Sequence, residues 1–242
     1  MIRVIILAYN EAKNLPRVIP DVAEALGNSE YRIYAVDDGS TDTTAEVLVT
    51  LASFYPLTVL THQPNKGVAS AFRTGLTAVI QDAADQDVVV LMEGDGTSSP
   101  VLLPEMVRRI RNGADIIIAS RYRQGGGYKN FPLKRLLLSR GANFVFRLMF
   151  RIPGATDYSI FYRAYRIPPL RAAFTALGTR FIESTTFLAN AEILVKLKPY
   201  LRRVEEIPLF YDYGLKKGKS GMKVWKNLQS YLQFIAHHAL RL

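Results

Sequence analysis

Cysteine is absent from this 242-residue chain, and histidine occurs only 3 times. A disulfide-stapled secreted module is therefore excluded. His237 and His238 are adjacent, so they point to different sides of a helix and make a poor metal pair. No run approaches the ~18 consecutive apolar residues that a bilayer-spanning helix needs. Met1–Ala8 reads MIRVIILA and runs straight into Tyr9-Asn10-Glu11, so no signal peptide is expected. Internal repeats, low-complexity tracts and interdomain linkers are also missing. What remains, with 49% hydrophobic and 21% charged residues, is a globular composition, not that of a disordered tail. The expectation is a soluble or peripheral protein of one domain with a basic C-terminal elaboration.

Acidic residues are scarce in the second half. Residues 1–120 carry 9 Lys+Arg against 15 Asp+Glu, whereas residues 121–242 carry 22 against 6, for net charges of −6 and +16. A basic half of this size points to an anionic partner: phosphate groups, nucleic acid or an anionic membrane.

Short apolar runs rich in β-branched residues predict strands at Arg3–Ala8, Tyr31–Val36, Leu57–Thr61, Val88–Met92 and Asp115–Ser120. Amphipathic segments at about 12–27, 42–54, 67–84 and 101–112 lie between them. This alternation predicts an α/β fold with a parallel sheet covered on both faces. Ligands of such sheets bind beyond the carboxyl ends of the strands. The second half is less regular. The spacing predicts a mobile loop at 124–128, a helix over 133–151 interrupted at Gly141 and a strand or loop at 157–165. A helix at 182–197, a strand at 203–210, a flexible loop at 214–221 and a final helix at 222–242 follow.

The chemistry-bearing residues fall where the strands end. Tyr9-Asn10-Glu11 follows the first strand, and Asp37-Asp38-Gly39-Ser40-Thr41-Asp42 the second. Asp38-Gly39 suits a tight turn, and Ser40 or Thr41 suits a helix cap. Two adjacent carboxylates at a buried strand end require compensation, here expected from a ligand hydroxyl, an imino group or a cation. Asn65-Lys66-Gly67, Ala71 and Gly75 place small residues along one helix face, letting it approach the sheet or a ligand closely. After the fourth strand, Glu93-Gly94-Asp95 offers two carboxylates that can share a divalent cation with a diphosphate. The same stretch, through Thr97, Ser98 and Pro100, also suits a capped helix start.

Taken in order, Tyr9-Asn10-Glu11, Val36–Asp42, Asn65-Lys66-Gly67, a carboxylate-x-Asp, Ala119-Ser120-Arg121-Tyr122 and Ser139-Arg140-Gly141-Ala142-Asn143 resemble glycosyltransferase family 2 of the GT-A fold. Within it they are most similar to the dolichol-phosphate mannose synthase group, over about residues 2–222. The resemblance implies a mostly parallel, Rossmann-like sheet flanked by helices over 1–221, with an amphipathic helix at 222–242. It implies an inverting transfer of a sugar from a GDP- or UDP-sugar to a polyprenyl phosphate, on the cytoplasmic face of a membrane. By position, Ala8, Tyr9, Glu11, Asp37 and Asp38 would hold the base and ribose, with Gly67 and Gly94 beside them. Glu93, Asp95 and Thr97 would hold Mg2+ or Mn2+ and the diphosphate. Arg121 and Arg135 would face the phosphates, Asp157 and Arg163 match the ends of a further motif, and Gly218, Lys219 and Ser220 belong to a loop closing over the diphosphate.

Some positions depart from that pattern. Leu7 stands for the usual Pro, Glu93 for Asp, Ile160-Phe161 for Ser-Gly, and Gly221 for the loop Lys, which leaves Lys219 or Lys223 to serve. Leu215, with Lys216 and Lys217 beside it, stands where an Arg is expected. A transferase acting on a glycan hydroxyl, and a nucleotide-sugar-binding homologue without activity, are the alternative readings.

The basic half carries the membrane expectation. On a helical wheel over 133–151, Arg140, Arg147 and Arg151 form one stripe in a largely apolar circumference. Over 222–242, Trp225, Leu228, Tyr231, Leu232 and Ile235 share a side opposite Lys226, Gln229, Gln233 and His237. This final helix is either docked on the domain or an interfacial anchor, and a membrane partner subunit is a further possibility. Arginines interleaved with large aliphatics argue against nucleic acid.

Overall fold

The computed structural model describes residues 1–218 and 224–239. Five strands, β1 (Ile2–Ala8), β2 (Tyr31–Asp37), β3 (Leu57–Thr61), β4 (Val88–Glu93) and β5 (Ile116–Ser120), stand within a residue or so of their predicted bounds. Helices α1 (Leu15–Leu26), α2 (Thr44–Ala52), α3 (Val68–Asp82) and α4 (Leu103–Arg111) connect them. β1 is buried at all its positions, as expected of a central parallel strand covered on both faces. Its one charge, Arg3, donates to Asp87 at 2.8 Å and to the Tyr34 hydroxyl at 2.7 Å, so no buried charge is left unpaired there.

β6 (Gly127–Lys129), α5 (Leu133–Phe150), β7 (Arg163–Arg166), α6 (Ile167–Leu177), α7 (Ala189–Leu197), β8 (Val204–Pro208), β9 (Phe210–Asp212) and α8 (Val224–Ala239) complete the chain. The main sheet has the order β3-β2-β1-β4-β7-β5-β8, and β6 pairs with β9 in a small second sheet. All neighbours in the main sheet are parallel except β7, which runs antiparallel between β4 and β5. This is the mostly parallel α/β sheet of the GT-A fold.

Small residues let α3 lie close to the sheet, as their spacing predicted. A Cβ on Gly75 would stand 2.6 Å from the Ile5 Cγ2 atom, so only glycine fits there.

Three expectations for the second half are corrected, and the helix expected over 182–197 is confined to α7, Ala189–Leu197. Residues 124–128 form a fastened turn, not a mobile loop: Gly126 N donates to Arg123 O, Gly127 N donates to Leu209 O, and β6 is held by β9. α5 continues through Gly141, an exposed position where nothing opposes regular helix. α6 falls in a stretch, 166–181, for which no element was expected. Its Pro168 and Pro169 both lie in the first turn, where a missing N–H costs no helix hydrogen bond. The region 203–210 divides into β8 and β9 instead of forming one strand.

α8 docks against α5. The ring of Tyr231 meets Phe146 edge-on at 5.4 Å, and Phe234 stacks on Phe146 at 5.9 Å. The apolar side predicted for this helix is therefore divided. Tyr231 is buried and Ile235 half-buried, while Trp225 and Leu232 stay 79% and 59% exposed. Leu137, Phe144 and Leu148 of α5 are also exposed, at 61%, 69% and 59%, along one side shared with exposed Arg140 and Arg147. Among the described residues no helix is long and apolar enough to cross a membrane.

Candidate active site at the carboxyl ends of the strands

The ends of β1, β2 and β4 open into a cavity of about 310 Å3, which falls in the ~300–1,000 Å3 range of small-molecule sites. Ala8, Tyr9, Glu11, Asp38, Gly67, Glu93, Gly94 and Asp95 line it, so most of the residues expected to hold a donor are brought together. Asp37 is not among them. It is buried and accepts from Ser40 N at 3.0 Å and Ser40 Oγ at 2.5 Å, shaping the turn.

The expectation that these two carboxylates need a ligand is likewise corrected, because the protein supplies partners for both. Asp38 Oδ1 bonds to His62 Nδ1 at 2.7 Å and to Lys66 N at 3.0 Å, and Asp38 Oδ2 accepts from Asn65 Nδ2 at 3.0 Å. His62 is itself fixed through Nε2 to Thr74 Oγ1 at 2.8 Å. Gly39 closes this arrangement: its φ is +70°, and a Cβ there would strike Asn65 N at 2.5 Å. His62 was missed in the sequence because a lone histidine at the end of an edge strand carries no pattern.

A second cavity of about 180 Å3 adjoins the first. It is lined largely by apolar side chains from α5, α8 and the segment before β7, among them Leu138, Ala142, Ile160, Leu228 and Tyr231. Arg121 and Arg135 both line it, as their expected role requires. Arg135 Nη1 donates to the Tyr213 hydroxyl at 2.9 Å. Arg121 is more constrained than a surface phosphate clamp. Its Nε and Nη2 donate to the two oxygens of Asp157 at 2.7 Å each, and Nη2 also donates to Ser159 Oγ at 2.7 Å. Tyr128, Tyr122 and Tyr211 surround the guanidinium at 5.2 to 5.8 Å from their ring centres. Burial alone would lower the Arg121 pKa; the charge of Asp157 outweighs it and holds the group above its ordinary value. Asp157 is driven the other way: burial raises it, Arg121 overrides that, and the carboxyl stays below its usual range.

Glu206, also absent from the sequence expectations, fixes this pair from beneath. Its carboxylate accepts from Thr156 N and Thr156 Oγ1 at 2.5 Å each, and from Asp157 N at 2.9 Å. Arg163 plays a structural part, donating from Nη1 to Asn190 O at 2.7 Å and from Nη2 to Tyr158 O at 2.8 Å. It ties the 157–162 segment to α7 and lines neither cavity.

Glu93, Asp95, Phe161, Phe187, Lys216 and Asn227 belong to both cavities and form the wall between them. Phe161 stacks on Phe72 of α3 with ring centres 4.8 Å apart. Thr97 lies buried beneath the carboxylates and lines neither cavity. Its hydroxyl donates to Asp95 Oδ1 at 2.6 Å and approaches Glu93 Oε2 at 3.4 Å, so in this arrangement it orients the two acids. Lys216 Nζ donates to Asp95 Oδ2 at 2.7 Å and stands 3.7 Å from Glu11 Oε1.

Burial, with the charge of Asp95 added, pushes the Glu93 carboxyl up to about 8. Burial pushes Glu11 up to about 7, against the pull of Lys216 and Asn14. Glu93 and Asp95 offer carboxylate oxygens only, the donor set of a hard divalent cation such as Mg2+ or Mn2+. Among the described residues no group of three or more His, Cys, Asp or Glu side chains is poised to hold a metal. The two acids thus fit a cation whose remaining ligands come from phosphate and water. Lys219 and Ser220 lie outside the described residues, as does Lys223.

Residues 3–174 match the family model described as Glycosyl transferase family 2. The chain is 34% identical over 240 residues to a dolichol-phosphate mannosyltransferase of Pyrococcus furiosus, covering 97% of this chain and 62% of that protein. It is 36% identical over 165 residues to a polyprenol monophosphomannose synthase of Mycolicibacterium smegmatis, covering 67% of this chain and 60% of that protein. It thus matches about three fifths of the length of each of these relatives. Among solved structures, glucosyl-3-phosphoglycerate synthase from Mycobacterium tuberculosis, in complex with Mn2+, uridine diphosphate and glucosyl-3-phosphoglycerate, superposes with a TM-score of 0.68 at 15% identity. That likeness covers 100% of this chain and 79% of that one. With strand-end motifs, sheet order and family model in agreement, the chain belongs to glycosyl transferase family 2.

Proposed function

We propose that this chain moves a hexose, mannose by analogy with the names of the two relatives, from a nucleoside-diphosphate sugar to a polyprenyl phosphate, with inversion at the anomeric carbon. The observation that carries the reading is the shared wall. A wider cavity with polar strand-end residues meets a smaller apolar one containing two arginines, and Glu93 and Asp95 face both. In this reading the donor occupies the first and the acceptor phosphate the second. A cavity of about 180 Å3 has room for the phosphate and the first isoprenoid carbons; the rest of the lipid must lie outside.

The acceptor phosphate is already anionic at neutral pH, so no strong general base is required. The chain's own residues then act by positioning and charge. Arg121, held rigid by Asp157, and Arg135, tethered to Tyr213, orient the acceptor phosphate. Tyr9, Asp38 and Gly67 receive the nucleoside. A divalent cation held by Glu93 and Asp95 would neutralise charge on the leaving diphosphate. The exposed Leu137, Phe144 and Leu148, beside Arg140 and Arg147, suit an interfacial contact with anionic lipid, which brings the acceptor cavity to the membrane surface.

The test is transfer of radiolabelled sugar from GDP-mannose, UDP-glucose and other donors to polyprenyl phosphate in vesicles. A lipid-linked monosaccharide of inverted configuration is expected. Transfer to a soluble glycan hydroxyl and not to the lipid would overturn the reading.

A further inference from the structure

Lys216 occupies a position that the proposed metal would need. Its ammonium lies 2.7 Å from Asp95 Oδ2, while the other oxygen of that carboxylate accepts from Thr97 N at 3.0 Å and Thr97 Oγ1 at 2.6 Å. Both oxygens of Asp95 are therefore engaged, and the ammonium covers Oδ2. Three carboxylates act on Lys216, namely Asp95, Glu11 and Glu93. Arg121 also acts on this cluster, but it is already committed to Asp157.

The segment bearing Lys216 is held at a second point. Asn14, buried at the start of α1, donates from Nδ2 to Lys217 O at 3.0 Å and accepts from Lys217 N at 3.4 Å. The same amide nitrogen donates to Glu11 Oε2 at 2.5 Å. The turn is thus fastened to the donor side through one backbone clamp and one ion pair. A lysine ammonium and a divalent cation held at one carboxylate oxygen repel each other as like charges, so each weakens the other's binding.

We propose that Lys216 is a tethered counter-ion that keeps the carboxylate-x-carboxylate site closed to divalent cations until a diphosphate gives it another anion to hold. This rests on the assignment of the metal to Glu93 and Asp95. Metal entry and release of the 213–217 segment are then one competitive equilibrium. By linkage, the diphosphate tightens metal binding by the same factor as the metal tightens diphosphate binding. Lys216 makes the site wait for its substrate.

The experiment is Mn2+ binding to the full chain without donor, read as loss of the free-ion electron paramagnetic resonance signal. Lys216→Met should bind Mn2+ about tenfold more tightly than the unaltered protein, within the usual range of such couplings. Lys216→Arg, which keeps the charge, and Lys217→Met should match the unaltered protein. Asn14→Ala frees the segment and keeps every charge, so it should shift affinity the same way by a smaller factor. It also serves as a second probe should Lys216→Met fold poorly. Added UDP or GDP should tighten Mn2+ binding by a larger factor in the unaltered protein than in Lys216→Met, where only direct coordination by the diphosphate remains.

Equal Mn2+ affinity with and without Lys216, abolished in both by Asp95→Asn, overturns the counter-ion and leaves the metal site standing. Binding that ignores Asp95→Asn, or no binding by any variant, overturns the metal assignment and the proposal with it.

Discussion

The two cavities that meet at Glu93 and Asp95 are built from different material. The donor-side cavity takes most of its residues from the ends of β1, β2 and β4 and the segments after them, with Phe161, Thr185, Thr186, Phe187, Lys216 and Asn227 closing it. Asp38 there is braced by Asn65 and Lys66 from the segment just before α3, while Lys216 reaches Asp95 across 121 residues. The acceptor-side cavity is walled by α5, α8 and the segment before β7, and its key ion pair joins Arg121 to Asp157 across 36 residues. One is founded on the rim of a regular parallel sheet. The other depends on tertiary packing, so the same kind of substitution should do different things on the two sides.

The largest effect is expected at the shared wall. Asp95→Asn removes one charge from the carboxylate pair, and the transfer rate should fall by about 10³-fold with the folded protein intact. Initial rates together with circular dichroism check both halves of that statement. A variant that keeps its rate would place the chemistry elsewhere.

On the acceptor side, Asp157→Asn should cost about 3 to 5 kcal/mol of stability at pH 7, because it strands the buried Arg121 without its counter-charge. The pH dependence has a definite sign. The folded pKa of Asp157 lies below the ordinary value of 3.8, so its stabilisation is fully present above that pH and is lost as pH falls through the folded value. Urea unfolding should therefore show the gap between the two proteins narrowing only below about pH 4. A gap that stays constant down to acid pH would mean the pair contributes nothing through its charge.

Tyr231→Ala should cost about 3 kcal/mol through the cavity left against Phe146. It should raise KM for the lipid acceptor and leave donor binding unchanged, because Tyr231 lines the acceptor cavity alone. Loss of donor affinity would show that the two sides are one unit. The smallest effect belongs to the surface. Arg140→Gln with Arg147→Gln should weaken binding to anionic vesicles by about an order of magnitude at low salt, and by less as salt rises. Transfer to a water-soluble short-chain acceptor should be spared.

The same contrast explains what could be read in the amino-acid order. Buried parallel strands announce themselves as uninterrupted Val and Ile runs, so β1 to β5 and the donor-side residues after them were legible. β7 was legible only as a strand or loop at 157–165, since its short Arg-Ala-Tyr-Arg sequence carries no clear period and its direction and place depend on two flanking strands. α6 carries prolines in its first turn and was not anticipated at all. Lys216 and Asp95 lie 121 residues apart, and no window on the chain contains both. Arg121 was legible as a motif member, but its three tyrosines and its carboxylate partner are a product of folding.

The reversed direction of β7 has a consequence for how this architecture can diversify. In a uniformly parallel sheet, only segments that follow a strand can reach the reactive rim. Because β7 runs the other way, the stretch before it, Asp157 to Tyr162, arrives at that rim from upstream. Ile160 and Phe161 therefore reach the acceptor cavity on a stretch that ends in β7 and begins beyond α5. Insertions or exchanges there can retune what the smaller cavity admits while every parallel strand and the turns after β1, β2 and β4 keep their register. A mixed sheet in this sense gives the smaller cavity a source of variation of its own, of which Phe161 alone also lines the wider cavity.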